Sequence, residues 1–333
     1  MTPMLLAGDI GGTKTLLGLY DPGRGARQPV TETEFHSGAY PGLEGMVREF
    51  LQQAGHSVEY ACFDVAGPVI RGKAHLTNLP WSLEEEALAR ELGFKRVTLL
   101  NDLKAIAYAV PRLEAGEVHA IHDGNPDPQG ALAVIAPGTG LGQAYLVWSG
   151  TEYIACSSEG GHTDFGPADE KQVELWRYVA KKHGHVSYEW VCSGLGIAVI
   201  YDFLRASQYA PEPPEFAARL ASISDRTPLI TEAALADPAA NPLCAAALHM
   251  FVAILAAEAG NLALKVLATG GVYLAGGIPR RILPLLEDGR FMEAFVNKGR
   301  LGDLLKDIPV QVIVSRAALL GAVFYGFDHF GMA

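Results

Sequence analysis

The sequence predicts an α/β protein of two domains, and three observations lead to this class. Short apolar segments that read as strands alternate with helical segments over the first part of the chain. The chain has 333 residues, a length typical of about two domains with a core each. A strand, a Gly-Thr turn and a second strand near the N-terminus recur around Gly138 and Thr139, so a second domain is expected to open near residue 131.

The first domain is predicted to contain four strands and two helices. The segment MLLAGDIGGTKTLLGLYD reads as a hairpin, because apolar residues flank a short Gly-Gly turn. A third strand covers YACFDVAGPV and a fourth covers VTLL, and the helices are LEGMVREFLQQAG and SLEEEALARELG. The second helix has the pattern of a capping box, Ser82 with Glu85, and Gly93 stands where the helix should end.

The second domain is predicted to begin with a hairpin and to continue mainly as helices. The hairpin is ALAVIAPGTGLGQAYLVW, and the helices extend from about Trp176 to Leu267, with the proline-rich YAPEPPEF as a surface loop. The segment GGVYLAGGIPRRI adds one more buried strand that ends in glycines. The last helix, SRAALLGAVFYGFDHF, is apolar on much of its surface and is therefore expected to pack against another element.

The charge of the chain argues against a nucleic-acid partner. The net charge is -11 and no block of Lys and Arg occurs, whereas phosphate backbones are held by clusters of these residues. Hydrophobic residues make up 49% and charged residues 19%, which is typical of a globular protein. A phosphate-bearing ligand should therefore be small and held by backbone N–H groups and a few cations.

The cysteines and the apolar segments favour a cytoplasmic protein without a membrane partner. No CxxC pair occurs, which favours a reducing compartment and disfavours structural zinc. The four cysteines are Cys62, Cys156, Cys192 and Cys244. The apolar run before Asp9 is too short for a signal peptide. The most apolar region, 251–267, is interrupted by Glu258, Asn261 and Lys265, so it reads as a buried helix.

Two adjacent polar residues end the strand in VTLLNDLKAIAYAV. Asn101 and Asp102 are both good helix N-caps, and capping alone would explain them. Asp9 also follows an apolar strand, and it has two interpretations. It can form an Asx turn, or it can hold Mg²⁺ through water beside phosphates.

The glycine turns DIGGTK and PGTGLG have the composition of anion-binding loops. Glycine lets backbone N–H groups converge on an anion, and the threonine hydroxyl adds a donor. Neither turn matches a Walker loop or the dinucleotide pattern, and each alone could be a simple hairpin. Together with the AGG at 275–277 they favour a nucleotide that straddles two domains.

The segment CSSEGGHTDFGP carries Glu159 and His162 on either side of two glycines. No third ligand-type residue stands at metal spacing, so a zinc site is rejected and hydrogen bonding to a neutral polyol is favoured. Glu189 is a third candidate for the same role, although a solvent-facing helix start would also explain it. Ser193 does not fit a hydrolase, because Val191 occupies the position where a nucleophile elbow requires glycine.

These motifs occur in an order that resembles the bacterial glucokinases. They are DIGGTKTLLGLYD, VAGPV, LTNLPW, LLNDLKAIAYA, IAPGTGLG, SSEGGHTDFGP, SYEWVCSGLG and LAGGI, and they span nearly the whole chain. The family belongs to the sugar kinase, actin and heat-shock ATPase superfamily. The resemblance implies the two-domain actin-like ATPase (ribonuclease H-like) fold with an inter-domain cleft. The expected domains are 1-110 with 315-333, a small α/β domain, and 111-314, a large α/β domain with helical insertions.

The resemblance also implies roles for individual residues. Asp102 would be the general base that takes the proton of the sugar 6-hydroxyl. The other sugar-binding residues would be Asn78, Asn101, Glu159, His162 and Glu189. The residues expected at the nucleotide are Asp9, Gly11, Gly12, Thr13 and Lys14 in the first phosphate turn, Gly138, Thr139 and Gly140 in the second, and Gly276 and Gly277 at the adenosine.

The sequence departs from its relatives at two points. Many of these glucokinases carry asparagine where this chain has Lys14, and lysine there is familiar from the related repressor/open-reading-frame/kinase (ROK) family. The cysteine-rich zinc motif of that family is absent after His162, which places the chain with the zinc-free glucokinases. The role of Lys14 stays open.

The implied activity is ATP-dependent phosphorylation of glucose at its 6-hydroxyl, with Mg²⁺-ATP as donor and domain closure on sugar binding. Alternatives are another hexose, or ADP or polyphosphate as the donor. A catalytically silent sugar-binding regulator and a filament-forming actin-like ATPase are weighed against it, and the retained Asp102 and the SEGGH loop argue against these two. A homodimer is what similar proteins suggest.

Overall fold

The computed structural model describes residues 4–76 and 79–332 of the chain. The strands of this part are β1 (Met4–Ile10), β2 (Lys14–Tyr20), β3 (Pro29–His36), β4 (Val58–Val65), β5 (Val69–Ile70), β6 (Lys73–His75), β7 (Ser82–Glu84), β8 (Arg96–Asn101), β9 (Val118–His122), β10 (Leu132–Pro137), β11 (Leu141–Trp148), β12 (Tyr153–Ser158), β13 (Gly271–Leu274) and β14 (Val310–Ile313). The helices are α1 (Leu43–Ala54), α2 (Glu85–Leu92), α3 (Asp102–Ala109), α4 (Glu170–His183), α5 (Gly194–Ala206), α6 (Pro214–Ala221), α7 (Thr227–Ala236), α8 (Pro242–Val266), α9 (Gly277–Arg281), α10 (Leu283–Leu286), α11 (Arg290–Val296), α12 (Gly302–Lys306) and α13 (Ala317–His329). Single turns of 3-10 helix lie at Pro22–Arg24, Ser37–Ala39, Val110–Arg112, Ala115–Glu117, Gly160–His162, Tyr188–Trp190 and Gly299–Leu301.

The chain forms two compact units. Unit 1 comprises Met1–Glu114, Thr151–Ser157 and Ser315–Ala333, so far as these residues are described. Unit 2 comprises Ala115–Gly150 and Ser158–Val314. The domain bounds expected from the sequence, 1-110 with 315-333 and 111-314, stay a prediction.

Unit 1 is built on a five-stranded sheet with helices on both faces. The strand order is β3-β2-β1-β4-β8; β3, β2 and β1 are antiparallel neighbours, and β1, β4 and β8 run parallel. Leu6 and Ile10 of β1 pack in one buried cluster with α1 and α2, whereas Leu5 and Ala7 pack in another with α3 and α13. This alternation follows from the period of two along a strand. A small antiparallel sheet, β5-β6-β7, completes the unit.

Helix α13 packs on α3 at very close range. A Cβ atom built on Gly321 would lie 1.8 Å from the backbone oxygen of Ala105, so only glycine allows this approach. The helix also contacts β1 and β4. The sequence prediction that the last helix packs its apolar surface against another element is confirmed.

Unit 2 contains a second mixed sheet and most of the helices. Its strands β11, β10, β13, β14 and β9 are neighbours in that order; β10, β13 and β14 run parallel, and the flanking pairs are antiparallel. Helix α8 contacts α5, α7 and α11 and supplies much of the unit 2 core. Both units therefore contain the hairpin around a Gly-Thr turn that the sequence predicted, and in each unit this hairpin lies beside parallel strands.

By length and composition α8 could cross a membrane, and 78% of its most apolar 18-residue window is buried within the protein. Its Glu258 is fully buried and hydrogen-bonded. The sequence prediction of a buried core helix over this region is confirmed by this packing.

Most predicted elements of unit 1 occur, with two corrections. Strands β3, β5, β6 and β7 were missed, and the predicted third strand is β4, which ends at Val65. The predicted capping box is wrong: Ser82 lies in β7, which pairs with β6, and α2 begins only at Glu85. The Glu85 carboxylate accepts a hydrogen bond from the backbone N–H of Leu99 at 2.8 Å instead. Gly93 ends α2 in the left-handed conformation, as predicted.

Candidate active site

The carboxyl ends of three parallel strands meet at one edge of the unit 1 sheet. Asp9 of β1 is the register partner of Asp64 on β4, and Asp64 is the partner of Leu100 on β8. Asn101 and Asp102 follow at the same end of β8. Ligands of such sheets bind outside the carboxyl ends of parallel strands. The structure thus brings the predicted Asp9 and Asp102 to one edge, together with Asp64, which was not predicted.

The two polar residues that end β8 divide two tasks between them. The side-chain oxygen of Asn101 accepts a hydrogen bond from the backbone N–H of Lys104 at 3.1 Å and so caps α3. Asp102 is therefore free to be the first helical residue. Its Oδ1 accepts hydrogen bonds from the N–H of Leu103 at 2.8 Å and from Asn101 Nδ2 at 3.0 Å. Its Oδ2 receives no hydrogen bond within residues 4–76 and 79–332.

The environment of Asp102 makes it a better base than an ordinary aspartate. Burial raises the pKa of Asp102 to about 6, the charge of Asp9 adds to this rise, and the hydrogen bonds from Leu103 and Asn101 oppose it. Such a carboxylate is ionised at neutral pH and accepts a proton more readily than at its ordinary pKa.

Asp64 is a buried carboxyl group without a hydrogen-bond donor. Both its oxygens are buried, and no donor in the described part of the chain reaches them. Burial raises the pKa of Asp64 well above its ordinary value, and the charges of Asp9 and Asp102 raise it further. Burial also raises the pKa of Asp9, although a carboxyl proton that Asp64 can share with it and the charge of Arg316 oppose this. Asp9 and Asp64 lie opposite each other on neighbouring strands, and two such buried carboxyl groups require a proton or a cation between them.

The first glycine turn is fixed by a buried serine. The turn closes with a hydrogen bond from the N–H of Gly11 to the oxygen of Lys14 at 3.0 Å, leaving Gly12 and Thr13 at its tip. Ser37 Oγ donates to the oxygen of Gly11 at 2.7 Å, and its N–H donates to the oxygen of Thr13 at 2.9 Å. The Lys14 side chain, two-thirds exposed, pairs with Glu34 at 2.7 Å.

The second glycine turn lies against Glu189 in unit 2. The N–H of Gly138 donates to the oxygen of Gly140 at 2.8 Å, and the exposed Thr139 is at the tip. A Cβ on Gly140 would lie 2.3 Å from Glu189 Oε2, which also accepts a hydrogen bond from the N–H of Leu141 at 3.0 Å. Glycine at 140 is therefore needed for Glu189 to reach the turn.

The loop with Glu159 and His162 packs directly on β11. A Cβ on Gly160 would lie 2.0 Å from Gln143 Oε1, and a Cβ on Gly161 would lie 2.0 Å from the oxygen of Leu141. Both glycines are buried, whereas His162 is exposed. His162 Nδ1 is 3.9 Å from Glu189 Oε1. The two predicted sugar-binding segments thus meet in unit 2.

Gly276 and Ser193 have defined structural roles near the ends of unit 2 elements. Gly276 lies between β13, the parallel neighbour of β10, and α9, which begins at Gly277. Its φ of +88° lies in the left-handed region that favours glycine. Ser193 caps α5: its Oγ accepts from the N–H of Gly196 and donates to the oxygen of Glu189 at 2.7 Å. The hydroxyl of Ser193 thus has a structural role.

The structure groups the predicted residues within each unit. Unit 1 holds Asp9, Gly11, Gly12, Thr13, Lys14, Asn101 and Asp102, and unit 2 holds Gly138, Thr139, Gly140, Glu159, His162, Glu189, Gly276 and Gly277. Asn78 lies outside the described residues. No group of three or more His, Cys, Asp or Glu side chains suited to a metal ion occurs among residues 4–76 and 79–332. Only a weak sequence signal points to Asp64, a lone carboxylate in an apolar strand, and none points to Ser37.

A family model described as Glucokinase matches residues 6–329. The chain belongs to the glucokinase family. The glucokinase of Nostoc punctiforme is 39% identical over 334 residues, covering 96% of this chain and 97% of its own. The glucokinase of Synechocystis sp. is 42% identical over 341 residues, covering 95% and 96%.

Solved glucokinases share the fold of this family member. The crystal structure of a glucokinase from an Antarctic psychrotroph has a TM-score of 0.83 and 31% identity, covering 98% of this chain and 100% of that one. A ROK family glucokinase from Streptomyces griseus, in complex with glucose and AMPPNP, has a TM-score of 0.65 and 20% identity, covering 98% and 99%. The second likeness concerns the fold alone. The predicted resemblance to bacterial glucokinases, the two-domain α/β actin-like ATPase fold and the kinase class are confirmed.

Proposed function

We propose that this glucokinase-family protein transfers the γ-phosphoryl group of ATP to the 6-hydroxyl of glucose with Asp102 as general base. The observation that carries the proposal is the carboxylate of Asp102, which is aimed by two hydrogen bonds to Oδ1 and has its pKa raised to about 6. Phosphoryl transfer has a loose transition state, so the enzyme mainly positions groups and stabilises charge. A rigidly held carboxylate at the acceptor hydroxyl suits this chemistry.

The sugar would be bound by carboxylate, amide and imidazole groups. We assign Glu159, His162, Glu189 and Asn101 to its hydroxyls, and Asn78 by the family resemblance alone. The contact of Glu189 with both the second glycine turn and His162 supports a shared pocket in unit 2. Buried polar groups of this kind reject sugars that lack one hydroxyl, because the unmatched group stays buried without a partner.

The nucleotide would be held by the glycine turns. We assign the phosphates to Gly11, Gly12, Thr13 and Lys14 in unit 1 and to Gly138, Thr139 and Gly140 in unit 2, and the adenosine to Gly276 and Gly277. The supporting features are the tight backbone turns, whose exposed threonines offer hydroxyl donors. The backbone oxygen of Lys14 closes the first turn, and its ammonium group, which pairs with Glu34 here, is the cation that we assign to the phosphates.

The acidic edge of unit 1 fits a divalent cation. The two unpartnered oxygens of Asp64 beside Asp9 are the observation that supports this. Mg²⁺ usually takes one or two carboxylates plus waters and substrate phosphates, so a cluster of three protein ligands is not required. We propose Asp9, through water, with Asp64 beside it on β4, as the protein side of the site. Mg²⁺ bound with ATP would neutralise charge on the transferred group.

The remaining parts of the proposal follow from the chemistry and from the family. Water competes with the sugar as acceptor of the phosphoryl group. We propose that the two domains close only when sugar binds, so that the phosphate-binding turns assemble around ATP only then. ATP hydrolysis without sugar would therefore stay slow. A cytoplasmic location and a homodimer are proposed from the family resemblance.

A coupled assay with a panel of hexoses against ATP, ADP and polyphosphate tests the proposal. We expect glucose with ATP to give the highest kcat/KM, and no sugar-independent ATPase of comparable rate. Higher kcat/KM with another hexose or donor would replace the substrate assignment. Sugar binding without turnover on any donor would favour a silent regulator, and sugar-independent ATPase activity would favour a filament-type ATPase.

A further inference from the structure

A buried polar cluster lies behind the two predicted sugar-binding segments of unit 2. We call it the Glu258 cluster; its members are Gln143, Tyr188, Glu258, Asn261 and Lys298. Glu258 and Gln143 are 0% and 2% exposed, and Tyr188 is 3% exposed. A fully buried carboxylate is costly unless its oxygens are hydrogen-bonded, so its presence in an apolar helix requires a reason.

Both oxygens of Glu258 accept hydrogen bonds from side-chain amides. Gln143 Nε2 donates to Oε1 at 2.8 Å, and Asn261 Nδ2 donates to Oε2 at 3.0 Å. The ammonium group of Lys265 is 3.8 Å from Oε1, on a side chain that is 54% exposed. An ionised carboxylate only accepts hydrogen bonds, so each amide must turn its NH₂ group toward Glu258.

The side-chain amide of Gln143 connects Glu258 to the loop that carries Glu159 and His162. Because Nε2 faces Glu258, the opposite atom, Oε1, faces Gly160, where an added Cβ would lie only 2.0 Å away. Reversing the amide would place the NH₂ group against the loop backbone. Glu258 therefore determines which atom of the Gln143 amide lies against the loop at Gly160.

The side-chain amide of Asn261 connects Glu258 to the segment that carries Glu189, through Tyr188. Lys298 Nζ donates to Asn261 Oδ1 at 2.7 Å and to the oxygen of Ala257 at 2.8 Å, which leaves the Asn261 NH₂ group for Glu258 and for the Tyr188 hydroxyl at 2.8 Å. Tyr188 directly precedes Glu189, and its N–H donates to the oxygen of Thr163 at 3.0 Å. The same cluster thus holds the backbone on both sides of the predicted sugar site.

We propose that Glu258 is a positioning residue for the sugar site: it orients Gln143 and Asn261, which hold the Glu159–His162 loop and Glu189 in place. This inference rests on the proposed function, since it assigns these segments to the sugar. Within residues 4–76 and 79–332, the side-chain hydrogen bonds of the cluster do not include Asp102 or a residue of either glycine turn. Its loss should therefore affect sugar binding more than nucleotide binding, because the cluster is linked to the second glycine turn only through Glu189.

The test compares Glu258→Gln with the wild type in steady-state kinetics. Glutamine has the same shape, but its NH₂ group must oppose one of the two amide donors, so one buried hydrogen bond is lost or Gln143 reverses. We expect KM for glucose to rise about tenfold, with kcat within about threefold and KM for ATP within about twofold of the wild type. The matched control is Glu232→Gln, an exposed glutamate on α7, which should leave all three constants unchanged.

A rescue variant separates positioning from simple loss of stability. The double variant Gln143→Glu with Glu258→Gln restores a donor–acceptor pair and an acceptor oxygen facing Gly160, so KM for glucose should return to within about threefold of the wild type. Should Glu258→Gln fail to fold, Tyr188→Phe removes only the hydroxyl bonded to Asn261. It should raise KM for glucose about threefold with KM for ATP unchanged.

The outcomes separate this inference from the proposed function. Wild-type turnover of glucose, with an unchanged KM for glucose in Glu258→Gln or in Tyr188→Phe, overturns only the role of Glu258. A lower melting temperature with equal increases in both KM values also overturns it, because that is the result of a general structural defect. Wild-type protein that does not phosphorylate glucose overturns the proposed function and this inference with it.

Discussion

At the scale of single residues, Asp102 is the group on which the proposed chemistry depends. Asparagine at 102 keeps an oxygen that can accept the hydrogen bond from Leu103, so α3 should form as before. We expect Asp102→Asn to lower kcat by about 10²- to 10⁴-fold, because the variant cannot take the hydroxyl proton. Calorimetry should show glucose still bound. Near-normal turnover in this variant would remove Asp102 from the mechanism.

The raised pKa of Asp102 also predicts a pH profile. The base must be ionised to act, so activity is present above its pKa and is lost as the pH falls below about 6. We expect kcat/KM for glucose to fall about tenfold per pH unit below that value. The residual activity of Asp102→Asn serves as the control and should lack this limb. A profile that stays flat down to pH 5 would contradict the assignment.

Other residues of the site could not be found from the sequence, because their importance depends on distant partners. Asp64 matters through its register with Asp9, and a register between two strands is set by tertiary structure. Glu258 was interpreted only as an interruption of an apolar helix. Its partner Gln143 lies on β11, and no local pattern connects the two. By contrast, Asn101 and Asp102 were visible as a polar stop after a strand.

At the scale of elements, the contact of α13 with α3 depends on Gly321. A methyl group there would meet backbone atoms of Ala105, so the helices must separate. We expect Gly321→Ala to lower the free energy of unfolding by about 1–3 kcal/mol, measured by urea denaturation. It should also lower kcat, because α3 begins at Asp102.

The control for this variant is Gly45→Ala in α1 of the same unit. Gly45 is exposed and a Cβ there meets only Tyr40 at 3.9 Å, so the substitution should stabilise the helix by up to about 1 kcal/mol. Equal effects of the two substitutions would show that helix propensity, and not the close approach, decides the result at Gly321.

The elements that the sequence predicted correctly are those with a strong local signal. Hairpins around glycine turns and helices ended by glycine were found, since turn chemistry is local. Strand β3, PVTETEFH, was missed because it is largely polar and begins with proline, as suits a strand at the edge of the sheet. The Ser82 cap failed because pairing of β7 with β6 overrides the local preference of Ser82.

At the scale of the whole molecule, the buried carboxyl groups tie stability to pH. The pKa values of Asp9, Asp64 and Asp102 are all raised in the folded protein. Such groups contribute stability that is complete below their ordinary pKa of 3.8 and is lost as the pH rises through the raised values. The folded protein therefore loses stability toward neutral pH on their account.

Asp64→Asn should remove a large part of this loss. We expect its melting temperature to rise relative to that of the wild type as the pH is increased from 5 to 8, in buffer without Mg²⁺ or nucleotide. Saturating Mg²⁺ with ATP should narrow the difference, because a cation between the carboxylates offsets their repulsion. A difference in melting temperature between the two proteins that stays constant from pH 5 to 8 would argue against charge repulsion at a buried Asp64.

The return of α13 to the sheet of unit 1 has a consequence for biosynthesis. Leu5 and Leu100 leave the ribosome long before Ala317–His329, the segment that covers them. N-terminal domains usually mature first, but here the face of the earliest strands stays uncovered until the whole of unit 2 has been translated. Nascent chains of this protein therefore expose an apolar sheet face during most of their synthesis. Binding of chaperones to the nascent chain should be strongest just before the last helix leaves the ribosome.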